Sequence, residues 1–388
     1  MKKILIVTGG TGGHIFPAIA LADKASSNHK IVIFGDKKTK KYVANKHDFK
    51  VCTIFSSQIS AGKLTKIKAL LKIFTGIIQS IIKIAIYRPD VIIAFGGYAT
   101  FPTLVAATIL RRKIILHEQN SHLGKVNRIF AKYCYKIATT FEETAGISER
   151  YTKKISYTGT IIRQEILELI DEEYTLPKEI PEPQRKNMGY KGLILASEFE
   201  KIIEPAMPRE MLNILIVGGS GGAEIFSKIL PKAFFNLSDE FKNNIQIFQQ
   251  SRPDLTQITF QNYEDFNMNI EIDSFFEDMK SMIEKAHLII SRAGSTSIHE
   301  FLVAKKPMIL VPFAKSADDH QLKNAKIFEK NNCAIVIEEK DFTIRNISNI
   351  INETLSKDKK LLKMSENCKK YAEKTLDGAT NLLNLINE

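Results

Sequence analysis

The chain has 388 residues, 44% of them hydrophobic and 25% charged, which suits packed soluble domains and excludes fibrous and disordered classes, while the length favours two cores over one. Its four cysteines, Cys52, Cys134, Cys333 and Cys368, are scattered without a C-x-x-C pair, so neither a disulfide framework nor a zinc site is indicated and a reducing cytoplasm is expected. A formal net charge of +12 points to an acidic partner: nucleic acid, an anionic membrane surface or a phosphorylated substrate.

Ile4 to Val7 is an apolar run too short for a signal-peptide core, and it leads straight into Gly9-Gly10-Thr11-Gly12-Gly13-His14; it reads as a first strand. No stretch reaches about 18 uncharged apolar residues, so the chain is expected not to cross a membrane. Apolar runs at 31–34, 91–95, 113–117 and 136–138 alternate with helical patterns, as in a parallel sheet covered on both faces. From residue 49 to residue 89 there is no acidic side chain, whereas Lys50, Lys63, Lys66, Lys68, Lys72, Lys83 and Arg88 are basic. The same window carries Leu70, Leu71, Phe74, Ile77, Ile78, Ile81 and Ile82 at helical spacing, with Ile73, Ile84 and Ile86 widening the apolar side. Surplus hydrophobicity beside basic charge favours a membrane-surface helix over a nucleic-acid groove, which would want aromatic or polar readers among the charges. A core helix with a solvated lysine edge accounts for the periodicity as well.

The second half repeats the scheme. Asn213-Ile214-Leu215-Ile216-Val217-Gly218-Gly219-Ser220-Gly221-Gly222-Ala223 matches the opening strand and glycine turn, and further strands are expected at 245–248, 287–291, 308–311 and 334–337. Both halves are therefore α/β and doubly wound. The first domain spans 1–165 and the second 212–370. Residues 166–211 form a linker with an insertion, rich in Pro177, Pro181, Pro183, Pro205 and Pro208. The helical stretch at 371–388 can pack back on the first domain.

Glycine turns after strands present N–H groups and a helix N-terminus to an anion. Gly10-x-Gly12 with Asp36 ending the second strand partly fits a dinucleotide fingerprint, in which an acid there binds a ribose hydroxyl, but Ile15 occupies the usual third glycine position. Gly96-Gly97-Tyr98 makes a second such turn in the first half, and two turns at one sheet edge can grip a diphosphate. His14 has Ala223 as its counterpart in the second loop, so the turn itself needs no imidazole. A general base, a phosphate donor and a structural hydrogen bond all remain open for it. His117-Glu118-Gln119-Asn120 ends another strand, with Glu118 a further catalytic candidate. Ser291-Arg292-Ala293-Gly294-Ser295-Thr296-Ser297-Ile298-His299-Glu300 is the strongest local signal: a strand opening into a helix whose first N–H groups and hydroxyls would stabilise a departing diphosphate. Glu300 either completes a capping box with Ser297 or accepts a ribose diol. Asp318-Asp319-His320-Gln321 offers polar readers for sugar hydroxyls, and without an Asp-x-Asp triplet a metal-held diphosphate is disfavoured.

Taken together, Gly9 to His14 with Pro17, Gly96-Gly97-Tyr98, His117 to Asn120, Arg163, Gly218-Gly219-Ser220, Phe275-Phe276-x-Asp278-Met279, Ser291-Arg292-x-Gly294 with Glu300, and Val311-Pro312-Phe313 with Asp318-x-His320-Gln321 resemble the MurG family of bacterial glycosyltransferases, in the family's order and over nearly the whole chain. Departures are Gly221 where Gln is usual, Ala99-Thr100-Phe101-Pro102 in place of Ser-Gly-Pro, no Asn-Pro before Arg163, and the insertion. The resemblance implies a GT-B fold, two Rossmann-like domains facing across a cleft. It implies inverting transfer of N-acetylglucosamine from UDP-N-acetylglucosamine to the undecaprenyl-linked muramyl-pentapeptide, lipid I to lipid II, in peptidoglycan synthesis. By the same token Thr11, Gly12, Gly13, Asn120, Arg163, Ser220, Phe276, Ser295, Thr296, Ser297, Glu300, His320 and Gln321 would contact the UDP-sugar, and Gly96, Gly97 and Tyr98 the acceptor. His14 would be the base or an acceptor-phosphate ligand. Lys66, Lys68, Lys72, Phe74, Ile77, Ile78 and Ile81 would meet an anionic membrane on the cytoplasmic face of the inner membrane, with no metal or cofactor needed for chemistry and no nucleic acid as partner. The residues alone leave three rivals: a different GT-B enzyme such as a diacylglycerol glycosyltransferase or a UDP-N-acetylglucosamine epimerase, a nicotinamide oxidoreductase using Asp36, and a non-catalytic membrane adaptor.

Overall fold

The computed structural model describes residues 1–44, 49–58, 62–177, 211–219, 222–242, 244–266, 268–375 and 377–388. Most of the expected insertion, and Ser220 with Gly221, lie outside the described residues. Among the described residues, thirteen strands form two all-parallel sheets. The first contains β1 (Lys3–Val7), β2 (Lys30–Gly35), β3 (Lys50–Thr53), β4 (Val91–Ala94), β5 (Ile114–Glu118), β6 (Lys136–Thr139) and β7 (Ile155–Tyr157), in the order β3-β2-β1-β4-β5-β6-β7. The second contains β8 (Leu212–Val217), β9 (Ile245–Gln250), β10 (Asn269–Asp273), β11 (Leu288–Ser291), β12 (Met308–Leu310) and β13 (Ala334–Val336), in the order β10-β9-β8-β11-β12-β13. The central strands are buried on both faces, which is why they read as unbroken Val/Ile/Leu runs. In each sheet the strand order reverses beside the opening strand, at β1/β4 and at β8/β11. That reversal opens a crevice at the carboxyl edge, and the glycine turns lie there.

The helix Asp358–Thr375 packs on the second lobe, burying Leu361 and Cys368, and the final helix Gly378–Asn387 packs on the first. There Leu382, Leu385 and Ile386 join Ile15, Leu21 and Ile161 in one core, and Lys2 Nζ donates to the Ile386 carbonyl at 2.7 Å. Gly378 is glycine for steric reasons: a Cβ there would collide with the Thr160 carbonyl.

The basic apolar window forms a helix, Lys63–Tyr87, ended by Arg88 in the left-handed conformation (φ 51°) just before Pro89. One side is fastened to its lobe. Ser80 Oγ and Thr103 Oγ1 hydrogen-bond at 3.1 Å, Ile84 is fully buried, and a side chain at Gly76 would strike the Phe55 carbonyl. The opposite side leaves Leu64, Ile67, Leu70, Leu71, Phe74, Ile78, Ile82 and Ile86 between 44 and 77% exposed. Such a stripe has no partner within the chain among the described residues. By length and a mean hydropathy of 1.8 the segment Leu64–Tyr87 is sufficient to cross a bilayer, which the count of uncharged residues passed over because Lys66, Lys68, Lys72 and Lys83 interrupt it. In this fold its packed side lies on the first lobe.

Candidate functional site

In the first lobe, Gly9 and Gly10 take positive φ (147° and 91°), and the Gly10 N–H donates to Asp36 Oδ2 at 2.8 Å. Asp36 Oδ1 accepts from the N–H and hydroxyl of Thr39. The carboxylate is thus committed to shaping the turn, which removes the acid that a nicotinamide fingerprint would turn towards ribose. Tyr98 lies against Gly10, where a Cβ would come within 3.2 Å of its ring, and burial with Asp36 nearby raises its hydroxyl pKa. Gly97 takes a positive φ (79°) that disfavours a side chain, and a Cβ there would come within 3.0 Å of the Gly9 carbonyl oxygen and touch the His14 ring at 3.5 Å.

Thr11 precedes the helix Gly12–Ser26, whose first turn carries Gly12, Gly13 and His14. Thr11 Oγ1 and His14 Nδ1 are 3.0 Å apart. Burial, reinforced by His320 from the other lobe, lowers the His14 pKa to about 4, so the ring is neutral near pH 7. If Nδ1–H donates to Thr11, Nε2 keeps its lone pair and is able to take a proton.

At the end of β5, Glu118 is buried and accepts four hydrogen bonds: Asn120 N–H and Asn120 Nδ2 at Oε1, Gly124 N–H and Asn127 Nδ2 at Oε2. Burial raises its pKa and these donors oppose the rise. Its oxygens are occupied in holding the 118–127 loop. His117 is buried, paired through Nδ1 with Gln119 Nε2, and lowered to about 3 by burial and by His14.

In the second lobe the helix Ser295–Val303 begins at Gly294 with no side-chain cap. The capping-box alternative for Ser297 and Glu300 does not form, because Ser297 already lies inside the first turn. Glu300 instead receives a bidentate grip from Arg163, Nε at 2.7 Å and Nη2 at 2.9 Å, with the guanidinium 5.0 Å from the Phe16 ring centroid. A Cβ at Gly219 or Gly294 would meet nothing within 4 Å, so both turns border open space where an anion can approach the backbone. Arg292 is a strut: buried between Phe226 and Phe313, it donates to the Val311 carbonyl and pairs with Glu339. Among the described residues no group of three or more His, Cys, Asp or Glu side chains is placed to hold a metal.

The lobes touch across the cleft. Ser295 Oγ donates to the Gln119 carbonyl, Thr296 Oγ1 to the Gly13 carbonyl at 3.0 Å, and Arg128 Nη2 to Asp318 at 2.9 Å. Asn324, fully buried, bonds Asn120 and Ser121. His320 Nδ1 pairs with the Ala317 carbonyl, and Gln321 Oε1 accepts the Phe313 N–H. Phe276 is buried, while Phe275 is exposed and faces Tyr42 of the first lobe at 6.3 Å. Of the residues singled out in sequence, His14, Thr11 to Gly13, Gly96 to Tyr98 and Asn120 gather on one wall, with Ser295 to Ser297, Glu300, His320 and Gln321 on the other. Lys66, Lys68, Lys72, Phe74 and Ile78 lie on the exposed side of the separate helix, whereas Ile77 is half-buried and Ile81 packs against the first-lobe core, because the helix turns that side to its own lobe. Gln119, within the His117 to Asn120 motif, also joins the lobes, as do Arg128 and Asn324, and in sequence nothing distinguishes the last two from ordinary helix residues.

The model of the glycosyltransferase family 28 N-terminal domain matches residues 4–139 and that of its C-terminal domain residues 213–380. Proteins named UDP-N-acetylglucosamine--N-acetylmuramyl-(pentapeptide) pyrophosphoryl-undecaprenol N-acetylglucosamine transferase are 32% identical: one from Wolbachia sp. subsp. Drosophila simulans (strain wRi), over 99% of this chain and 98% of the relative, and one from Rickettsia africae (strain ESF-5), over 100% of both. Among solved structures, Acinetobacter baumannii MurG superposes with a TM-score of 0.70 at 23% identity, covering 100% of this chain and 99% of that one. A Staphylococcus aureus MnaA-UDP structure superposes at 0.66 and 15%, covering 100% and 98%. The fold is GT-B, and with both halves matched and full-length relatives above 30% identity, the chain belongs to glycosyltransferase family 28.

Proposed function

We propose that the protein transfers N-acetylglucosamine, with inversion, from UDP-N-acetylglucosamine to the C4 hydroxyl of the muramyl sugar on undecaprenyl-pyrophosphoryl-muramyl-pentapeptide. The observation that carries this reading is the confrontation across one cleft of a neutral imidazole, His14, with the uncapped N-terminus of the helix Ser295–Val303. The printed names of the full-length relatives supply the sugar and the acceptor.

The chemistry is a single displacement. The acceptor O–H gives its proton to His14 Nε2 as its oxygen attacks the anomeric carbon, and the bond from that carbon to the diphosphate oxygen breaks. The electron pair leaves with UDP. Charge developing on the β-phosphate meets the free N–H groups of the first helical turn, each well-placed donor contributing about 2.7 to 4 kcal/mol to the barrier reduction. Neither a metal nor a cofactor takes part in this scheme. Glu300 accepts the ribose diol on the lone pairs that Arg163 leaves free, Phe276 offers its backbone to the uracil, and Ser297 borders the diphosphate. His320 and Gln321 read sugar hydroxyls from one side, Thr11, Gly12, Gly13 and Asn120 from the other. Gly96, Gly97 and Tyr98 flank the acceptor, and Glu118 acts by shaping the loop that carries Asn120. A donor sugar seated between Gly13 and Thr296 replaces their direct hydrogen bond with its own hydroxyls.

The exposed stripe of the Lys63–Tyr87 helix, with Lys66, Lys68 and Lys72 beside it, supports peripheral attachment to an anionic membrane, at the cytoplasmic face where the lipid-linked acceptor presents its sugar. The test of the activity is direct. Incubation with radiolabelled UDP-N-acetylglucosamine and a short-chain lipid I analogue should give labelled lipid and UDP, and only with acceptor present. Consumption of the sugar nucleotide without lipid would identify an epimerase or hydrolase instead.

A further inference from the structure

Asn324 lies on the helix His320–Lys330, one turn beyond His320 and three residues beyond Gln321, so it shares their face. It is fully buried, and its four hydrogen bonds reach three separate places. Oδ1 accepts from the Ser121 N–H and from Ser121 Oγ, both at 3.0 Å, while Nδ2 donates to Asn120 Oδ1 at 3.1 Å and to the Ala293 carbonyl at 3.4 Å. Ala293 belongs to the turn that opens the Ser295–Val303 helix. One side chain therefore ties the first-lobe loop to the helix of sugar readers and to the phosphate turn.

The orientation of this chain of amides is unique. A backbone N–H can only donate, so Ser121 fixes which atom of Asn324 is oxygen, and Nδ2 is left to face Asn120. Asn120 must then present Oδ1 to Asn324 and Nδ2 to Glu118 Oε1, 3.0 Å away. Reversing either amide would set donor against donor or acceptor against acceptor.

We propose that Asn324 is a positioning residue for sugar transfer, holding the Asn120 amide in one orientation and registering the first-lobe loop against the donor lobe when the cleft is closed. The inference rests on the proposed transferase reading. It assigns to Asn324 no contact with substrate: Asn120 keeps one N–H and one lone pair for the sugar, and Asn324 decides where they point.

Asn324→Asp tests it. The carboxylate still accepts from Ser121 but turns an oxygen towards Asn120 Oδ1, at 3.1 Å, and towards the more distant Ala293 carbonyl, at 3.4 Å, so the nearer group, Asn120, is pushed out of place. Turnover with UDP-N-acetylglucosamine and the lipid I analogue should fall by about 10²-fold, the usual cost of small misplacement, while calorimetric affinity for UDP, which lacks the sugar, changes by less than about twofold. In the Asn120→Ala background the same change should cost nothing further, since the two residues act as one unit. Wild-type turnover in Asn324→Asp, UDP affinity that falls in step with turnover, or additive losses in the double variant would each overturn the proposal. Circular dichroism checks folding. If Asn324→Asp does not fold, Ser121→Ala, which removes one bond from the opposite lobe, should lower turnover with UDP affinity intact, and unchanged turnover there overturns it too. A wild-type protein that transfers no label defeats the transferase reading itself, a result distinct from any of these.

Discussion

Replacing Glu300 with alanine separates the ribose role from a merely structural one, and the geometry sets both magnitudes. Glu300 is 5% exposed, and each of its oxygens accepts one hydrogen bond from Arg163, leaving a second lone pair on each for the two hydroxyls of a ribose. Hydrogen bonds to a charged acceptor contribute about 1.5 kcal/mol each at the low end, so two lost bonds weaken UDP by about 3 kcal/mol, roughly 10²-fold in Kd. Stability falls as well. Removing one partner of a buried pair costs about 3 to 5 kcal/mol, and the lower figure applies because Arg163 keeps Glu165 at 2.8 Å and the Phe16 ring. The assay is isothermal titration of wild type and Glu300→Ala with UDP and with 2′,3′-dideoxy-UDP. The analogue should bind both proteins about as weakly as UDP binds the variant. A loss of less than about threefold for UDP in Glu300→Ala, against the tenfold per 1.4 kcal/mol of the affinity scale, would refute the ribose assignment.

The remaining predictions concern acid, membrane and metal. Burial lowers His14 to about 4, with His320 adding to it, lowers His117 to about 3, with His14 adding to it, and lowers His299 to about 4 against the opposing pull of the Ser295 carbonyl. Since the unfolded chain takes up these protons first, the stabilising contribution is present above about pH 6.5 and is lost as pH falls towards 4, with a slope approaching about 4 kcal/mol per pH unit for three sites. Urea midpoints measured from pH 7.5 down to 4.5 should fall steeply below 6.5, and a flat profile would contradict the burial of these rings. With His14 as base, kcat/KM should stay level down to about pH 5, and an acid limb at the ordinary histidine value of about 6.5 would remove it from that role. Vesicles rich in anionic lipid should sediment the protein in a salt-sensitive manner, and changing Lys66, Lys68 and Lys72 together to Glu should weaken this by 10²-fold or more, at about 1 kcal/mol per lysine lost; equal sedimentation would sever the helix from the membrane. Enzyme stripped with EDTA should keep its turnover, whereas complete loss restored by a divalent ion would show that helix amides alone do not carry the leaving group.

The fold was legible where burial and backbone geometry speak through residue type. β1 and β8 are apolar on every residue that faces a core and run into glycines that positive φ demands, so both lobes and both turns could be read directly. β3, β7 and β10 were not found: they are edge strands of three to five residues, and Lys50–Thr53 and Asn269–Asp273 mix polar and apolar side chains because one or both faces meet solvent. At the site, His14 and Glu300 stood out by type and position, and Thr11 and Arg163 were named through the resemblance, but which of them pair was not legible. The Ser297-x-x-Glu300 spacing invited a cap, and only the true helix start at Ser295 shows that the carboxylate turns to Arg163, 137 residues earlier in the chain. Asn324 gave no signal, for its importance lies in pairing with a loop 203 residues away. Periodicity of the Lys63–Tyr87 helix likewise could not say which side would be covered, since packing on the lobe and contact with lipid call for the same residues.

The two passages of chain between the lobes lie side by side. Ile161 packs in the first core and Ile162 in the second, and beside them the Thr160 N–H donates to the Thr375 carbonyl at 3.0 Å while the Gly378 N–H donates to the Thr160 carbonyl at 2.9 Å. A paired tether of this kind confines relative motion to a swing about one line. Arg163 follows the crossing directly and opens the short helix Gln164–Leu167, whose Ile166 is seated in the second core, so it travels with Glu300. The Arg163–Glu300 pair consequently survives such a swing, whereas the bonds that join Gly13 to Thr296 and Asn120 to Asn324 exist only when the jaws meet. Under the proposed reading, recognition of the donor would be divided in time: the nucleotide would be read by a standing mould, and the sugar by one assembled around it.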